Sequence, residues 1–130
     1  MFYPNTDQRQ SADSFLRYAQ GFGLTAAEMA WFRDHYLPEP SMREDWRAAP
    51  LRAKSLVGVA PAVVVLAGHD ILYSEGLAFA KRLQRENHVL LKNWPGQIHG
   101  FLSLSAFIPE AHEALAWATS AWAKLEAERL

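Results

Sequence analysis

The stretch AVVVLAGHD, residues 62–70, decides the fold. Ala62 to Gly68 is a short, continuous apolar run with three consecutive valines. Such a run reads as a strand covered on both faces, as in a parallel sheet. It ends at Gly68-His69-Asp70, and the chain then changes period. About Ser74 to Glu86 the pattern is helical, with Leu77, Ala80 and Leu83 on one side and Lys81, Arg82 and Arg85 elsewhere. HVLLKNW, residues 88–94, is a second strand. Glu110 to Glu128 is a long helix with Leu115, Ala118, Trp122 and Leu125 at helical spacing. Strand, helix, strand, helix means an α/β layer architecture with a parallel sheet.

Upstream, Met1 to Tyr3 is a short apolar stub stopped by Pro4, like the end of a strand. Polar residues lead from it into a short helix, Ala12 to Ala19, around Phe15 and Tyr18. Thr25 and Glu28 have the spacing of a capping box, in which each side chain satisfies a free backbone N–H at a helix start. Leu24 and Met29 flank them as a hydrophobic staple. Met29, Phe32 and Tyr36 share a face of the helix that follows, and Pro38 and Pro40 end it. From Pro38 to Leu56 little period remains, and a long connection with one turn of helix is expected.

The composition narrows the function. With 130 residues, half of them hydrophobic, the chain forms one domain with a real core. A formal charge of −1, with both signs interspersed, gives no electrostatic case for nucleic acid or an anionic membrane. Having no cysteine, the chain has no disulfide, thiolate zinc site or cysteine nucleophile, which suits a cytoplasmic protein. The start MFYPNTDQRQ lacks the basic region and apolar run of a signal peptide, and no apolar run reaches transmembrane length. His35, His69, His88, His99 and His112 show no metal-ligand spacing. Trp117 and Trp122 read as core aromatics of the last helix.

Chemistry gathers where the carboxyl ends of parallel strands meet the following helices. One strand ends in Asp70. The other runs into WPGQIHGF, residues 94–101, where His99 lies between Gly96 and Gly100. Alone, Asp70 reads as a turn residue and His99 as a loop histidine. Together, a carboxylate and an imidazole at neighbouring strand ends form the arrangement that fixes a histidine tautomer and stabilises the imidazolium. The order acid then base matches Ser…Asp/Glu…His.

AGHDILYSEG and PGQIHGF, with YPNTD at residues 3–7, resemble the C-terminal part of the hormone-sensitive-lipase-like esterases, the α/β-hydrolase fold-3 group. The likeness covers nearly the whole chain. It implies that Asp70 is the triad acid, that His99 is the base, and that a helical insertion at about residues 11–48 lies beside the active site. It also implies small or medium acyl esters as substrates and no cofactor. Three positions depart from the family: Ile71 replaces a usual proline, Ser74 a common acidic residue, and His69 a position that is often aromatic.

The nucleophile is missing. None of the serines, at 11, 14, 41, 55, 74, 103, 105 and 120, has glycine two positions away on both sides, so there is no G-x-S-x-G. Nor is there an HGGG-type loop to bind the oxyanion. The chain therefore reads as a single partial α/β-hydrolase domain, residues 1–130, equivalent to the C-terminal part of a larger esterase and nearly inactive alone. A sheet edge left open near Met1 to Tyr3 calls for a partner chain or a homo-oligomer. The alternative is a degenerate hydrolase half kept as a non-catalytic interaction module.

Overall fold

The computed structural model describes residues 1–128. At its centre lie β1 (Ala62–Ala67) and β2 (Val89–Trp94), paired in parallel from Ala62 opposite Val89 to Ala67 opposite Trp94. Between them runs α3 (Tyr73–Glu86), and α4 (Pro109–Ala127) follows β2. The side chains of β1 alternate between two cores. Val63, Val65 and Ala67 pack with Trp94, Phe101 and α4, while Val64 and Leu66 pack with Phe79, Ala80 and Leu83 of α3. Every residue from Val63 to Ala67 is buried, which is why the strand carries no polar alternation.

The apolar stub lies beside β1. Phe2 bridges Val65 in parallel, Tyr3 N–H donates to Val65 O at 2.7 Å, and Val65 N–H donates to Met1 O at 2.9 Å. The order across the sheet is thus stub, β1, β2.

α4 meets the sheet differently from expectation. Its buried stripe is Ala111, Ala114, Ala118, Ala121 and Leu125. Alternating steps of three and four keep one face on the sheet, and four alanines let the helix backbone approach closely. Ala118 and Leu125 lie in that stripe, but Leu115 and Trp122 do not: they are 41% and 52% exposed. Bulky side chains do not fit so narrow a seam and are left on its flank. Trp122 is therefore not a core residue. Trp117 is half-buried, edge-on to Trp94 at 5.8 Å.

The insertion contains α1 (Asp13–Arg17) and α2 (Ala26–Tyr36). α1 is shorter than the expected Ala12–Ala19, and the chain leaves it through Gly21 and Gly23, at φ 84° and 87°. The capping box of α2 is formed: Thr25 N–H donates to Glu28 Oε2 at 2.8 Å, and Glu28 N–H to Thr25 Oγ1 at 3.2 Å. Met29 is buried with Phe15, Ile71 and Leu72, and Leu24 packs against the same cluster. Phe32 and Tyr36 stay exposed, so the apolar face of α2 is covered only at its first turns. The connection to β1 holds two 3-10 segments, Pro40–Glu44 and Pro50–Arg52, instead of one helical turn. Each begins with a proline, whose fixed φ and missing N–H suit a first helical position. Among the described residues, no helix is long and apolar enough to cross a membrane.

Candidate active site

The turns after β1 and β2 are joined backbone to backbone. Gly68 N–H donates to Trp94 O and His69 N–H to Gln97 O, both at 2.9 Å. The approach is so close that a Cβ on Gly68 would lie 2.4 Å from Pro95 O. Only glycine permits it. This contact brings Asp70 and His99, 29 positions apart in sequence, side by side.

Asp70 is fully buried, and each of its carboxylate oxygens has an N–H partner. Oδ2 lies 2.9 Å from His99 Nδ1, and Oδ1 accepts from Leu72 N–H at 2.8 Å. A carboxylate removed from water is tolerable when so satisfied. Ile71 and Leu72, next in the chain, sink into the cluster with Phe15 and Met29 and anchor the turn from below. Ile71 thus holds by packing a turn where the resembled esterases usually have proline.

His99 keeps about a quarter of its side chain exposed, 26%. Gly100 follows at φ 78° and swings the chain into a 3-10 turn, Phe101–Leu104, whose Phe101 is fully buried. Of the two glycines flanking the histidine only Gly100 is left-handed, and a Cβ at Gly96 would meet nothing. With Nδ1–H directed at Asp70, Nε2 carries the lone pair. The ring can accept a proton there, and the buried carboxylate stabilises the resulting imidazolium. Beside the ring opens a groove of about 390 Å³ walled by Tyr3, Leu24, Met29, Phe32 and Leu72. The insertion thus lines the site.

No serine among the described residues is hydrogen-bonded to His99. Ser14 Oγ donates to Ile71 O at 2.8 Å and accepts from Ser74 N–H at 2.9 Å, while Ser74 Oγ accepts from Ser14 N–H at 3.1 Å. That reciprocal pair ties α1 to the start of α3. Ser103 Oγ donates to Gly100 O at 2.6 Å. His69 stacks on Phe22, with planes 4° apart and centroids at 5.6 Å, and meets Tyr18 edge-on. It does the packing work of an aromatic residue. Among the described residues, no three metal-ligating side chains are grouped to hold an ion.

Two residues at the site were not singled out by sequence reasoning. The Tyr3 ring lies 4.6 Å from that of His99, on a backbone with φ 32°. Burial, then the negative charge of Asp70, pushes its phenol above the ordinary range, while the backbone N–H of Leu102 pulls it down. Glu75, 3% exposed, accepts through Oε1 from the N–H of Thr6 and Asp7 at 2.6 and 3.1 Å and from Asn5 Nδ2 at 3.0 Å. Burial outweighs these donors and pushes its carboxyl up to about 7. From sequence alone, an acid in the first turn of a helix is explained by the helix dipole. Nothing local marks Glu75 as buried.

Comparison with known proteins adds a second line of observation. A family profile described as alpha/beta hydrolase fold matches residues 1–103. An ethyl acetate hydrolase of Pseudomonas putida is 35% identical over 116 residues, covering 88% of this chain and 36% of that protein. The carboxylic ester hydrolase LipN of Mycobacterium tuberculosis is 37% identical over 106 residues, covering 80% of this chain and 28% of LipN. Among solved structures, a thermostable esterase from Pseudomonas putida superposes with a TM-score of 0.85 at 34% identity, over 90% of this chain and 38% of that one. The chain spans about a third of the length of the curated relatives it matches.

Proposed function

The chain belongs to the alpha/beta hydrolase family, in its hormone-sensitive-lipase-like group, and from that premise we propose that it supplies the acid and base of a Ser-Asp-His triad for carboxylic ester hydrolysis. The observation that carries this reading is the 2.9 Å hydrogen bond from His99 Nδ1 to the buried Asp70, at the ends of two adjacent parallel strands. In the proposed reaction, His99 Nε2 takes the proton of a serine hydroxyl as that oxygen attacks the ester carbonyl. The imidazolium then returns the proton to the leaving alcohol, and an acyl-enzyme remains. A water deprotonated by the same Nε2 then attacks the acyl carbonyl, the bond to the serine oxygen breaks as the imidazolium returns its proton to that oxygen, and the acid is released. Asp70 keeps Nδ1–H in place throughout and is not itself protonated. The apolar groove beside His99 suits a small or medium acyl or alcohol group.

The serine and the oxyanion donors belong, in this reading, to a G-x-S-x-G-bearing segment that docks along the Met1–Tyr3 edge. That edge supports it: Met1 and Phe2 are 45% and 42% exposed, with apolar grooves on either side. One, of about 300 Å³, is walled by Phe2, Val63, Leu115 and Trp122. The other, of about 390 Å³, is walled by Met1, Trp46, Val59, Phe79 and Leu83. The test is to mix this chain with a separately produced chain carrying G-x-S-x-G and an oxyanion loop, and to follow hydrolysis of a short-acyl p-nitrophenyl ester. The mixture should hydrolyse it, and neither chain should do so alone. Tight association without hydrolysis, unchanged by Asp70→Asn and His99→Ala, would instead establish an interaction module.

A further inference from the structure

A short path of contacts leads from the acid turn back to the base by a second route. Glu75 stands one turn of chain beyond Asp70, at the start of α3, and is buried. Its Oε1 gathers the backbone N–H groups of Thr6 and Asp7 and the side-chain amide of Asn5, at 2.6, 3.1 and 3.0 Å. One carboxylate oxygen therefore holds the whole turn at residues 5–7. That turn follows Tyr3, whose positive φ of 32° is costly for a residue with a Cβ and persists only where the surroundings enforce it. The Tyr3 ring lies against the His99 ring at 4.6 Å with planes tilted by 56°, and 6.2 Å from Phe101 on the same loop. Asp70 holds the imidazole by one nitrogen only, which leaves the ring plane able to rock about that hydrogen bond within the limits of its Cβ tether. A second ring in tilted contact with the imidazole restricts that rocking.

We propose that Tyr3 and Glu75 form a positioning pair, in which Glu75 pins residues 5–7 and so holds the Tyr3 ring where it sets the plane of the His99 imidazole against Asp70. Neither touches the reacting atoms. The inference rests on the reading of Asp70 and His99 as a dyad, and it assigns that dyad a support from outside the acid and histidine turns. Glu75 acts through the backbone it holds, and Tyr3 through the contact of its ring with the imidazole. The phenol oxygen is dispensable for this role, and the carboxylate is replaceable by any acceptor of the same reach.

The test is nuclear magnetic resonance of the 130-residue chain with nitrogen-15-labelled histidine, at about pH 8, above the ordinary histidine pKa of about 6.5. The wild-type chain should show a downfield Nδ1–H proton for His99 and nitrogen shifts of a single tautomer with a bare Nε2. Tyr3→Leu and Glu75→Ala should lose the Nδ1–H signal to exchange and move the nitrogen shifts toward averaged values. Tyr3→Phe and Glu75→Gln should retain the wild-type pattern. The wild-type pattern persisting in both Tyr3→Leu and Glu75→Ala would overturn the proposal. Should Glu75→Ala fail to fold, Tyr3→Leu decides, because Tyr3 is only half-buried and its replacement keeps an apolar side chain there. Absence of the Nδ1–H signal from the wild-type chain itself would overturn the dyad reading, a distinct failure visible before any variant is made.

Discussion

At the scale of single residues, the site depends on a glycine as much as on its charged groups. Gly68 allows the two strand-end turns to touch, and the clash a methyl group would meet is with the Pro95 backbone, which cannot swing aside. Gly68→Ala should therefore separate Asp70 from His99 and destabilise the fold by about 1–3 kcal/mol, the usual cost of forcing extra volume into a packed site. Urea denaturation checks the stability, and the His99 Nδ1–H resonance checks the geometry. Gly96→Ala, where a Cβ meets nothing, is the control and should change neither. That Asp70 and His99 would meet was legible in the sequence because each lies in the turn that follows a parallel strand, and strand ends are where side chains converge. Tyr3 and Glu75 were not. Their roles come from a contact between the first residues and the start of α3, and no periodicity along the chain reports a contact across so long a separation.

At the scale of elements, helix packing separates residues that look alike in sequence. Phe101 is fully buried between Trp94, Tyr3 and α4, so Phe101→Ala should cost about 3–5 kcal/mol by removing a core aromatic. Trp122→Ala, on the exposed flank of α4, should stay within about 0.5 kcal/mol of wild type in the same urea titration. Spacing along α4 allowed either an alanine stripe or a leucine–tryptophan stripe to face the sheet. The choice was set by how closely the helix must approach β1, a tertiary distance that helical periodicity does not encode. The capping box of α2 was fully legible, since both partners lie within one turn. The extent of α2's burial was not, because it depends on which elements are available to cover Phe32 and Tyr36.

The N-terminus of α3 also carries a pH dependence. Burial raises the Glu75 carboxyl from 4.5 to about 7, so the folded chain holds its proton more tightly than the unfolded chain does. Stability from this group is complete below about pH 4.5 and is lost as the pH rises toward about 7, on the order of 3 kcal/mol in all. Glu75→Gln, which stays neutral, should be about as stable as wild type near pH 4.5 and more stable near pH 8. Thermal denaturation at the two pH values reads the difference directly. The same slope in wild type and variant would place the titration elsewhere.

At the scale of the whole molecule, the architecture was legible because it is written in two periods. A continuous apolar strand means two covered faces, and the α3 and α4 patterns supply the covers. The chain belongs to the alpha/beta hydrolase family. At one end of its sheet this fold places an imidazole hydrogen-bonded to a buried carboxylate, and a groove, beside an exposed apolar edge. Substituting Met1 and Phe2 at that edge should weaken association with a G-x-S-x-G-bearing chain while leaving the His99–Asp70 geometry unchanged. Titration by light scattering, alongside the His99 resonance, separates the two effects.

The central claim is that Asp70 and His99 act as one catalytic unit, and the most direct measurement is kcat for a short-acyl ester in the reconstituted enzyme, comparing His99→Ala, Asp70→Asn and the double variant. Asp70→Asn alone should lower kcat by about four orders of magnitude, because the imidazole loses its tautomer. Residues that work as a unit are not additive, so the double variant should be no slower than His99→Ala alone. A double variant slowed by the product of the two single effects, or an Asp70→Asn enzyme that keeps full activity, would contradict the account.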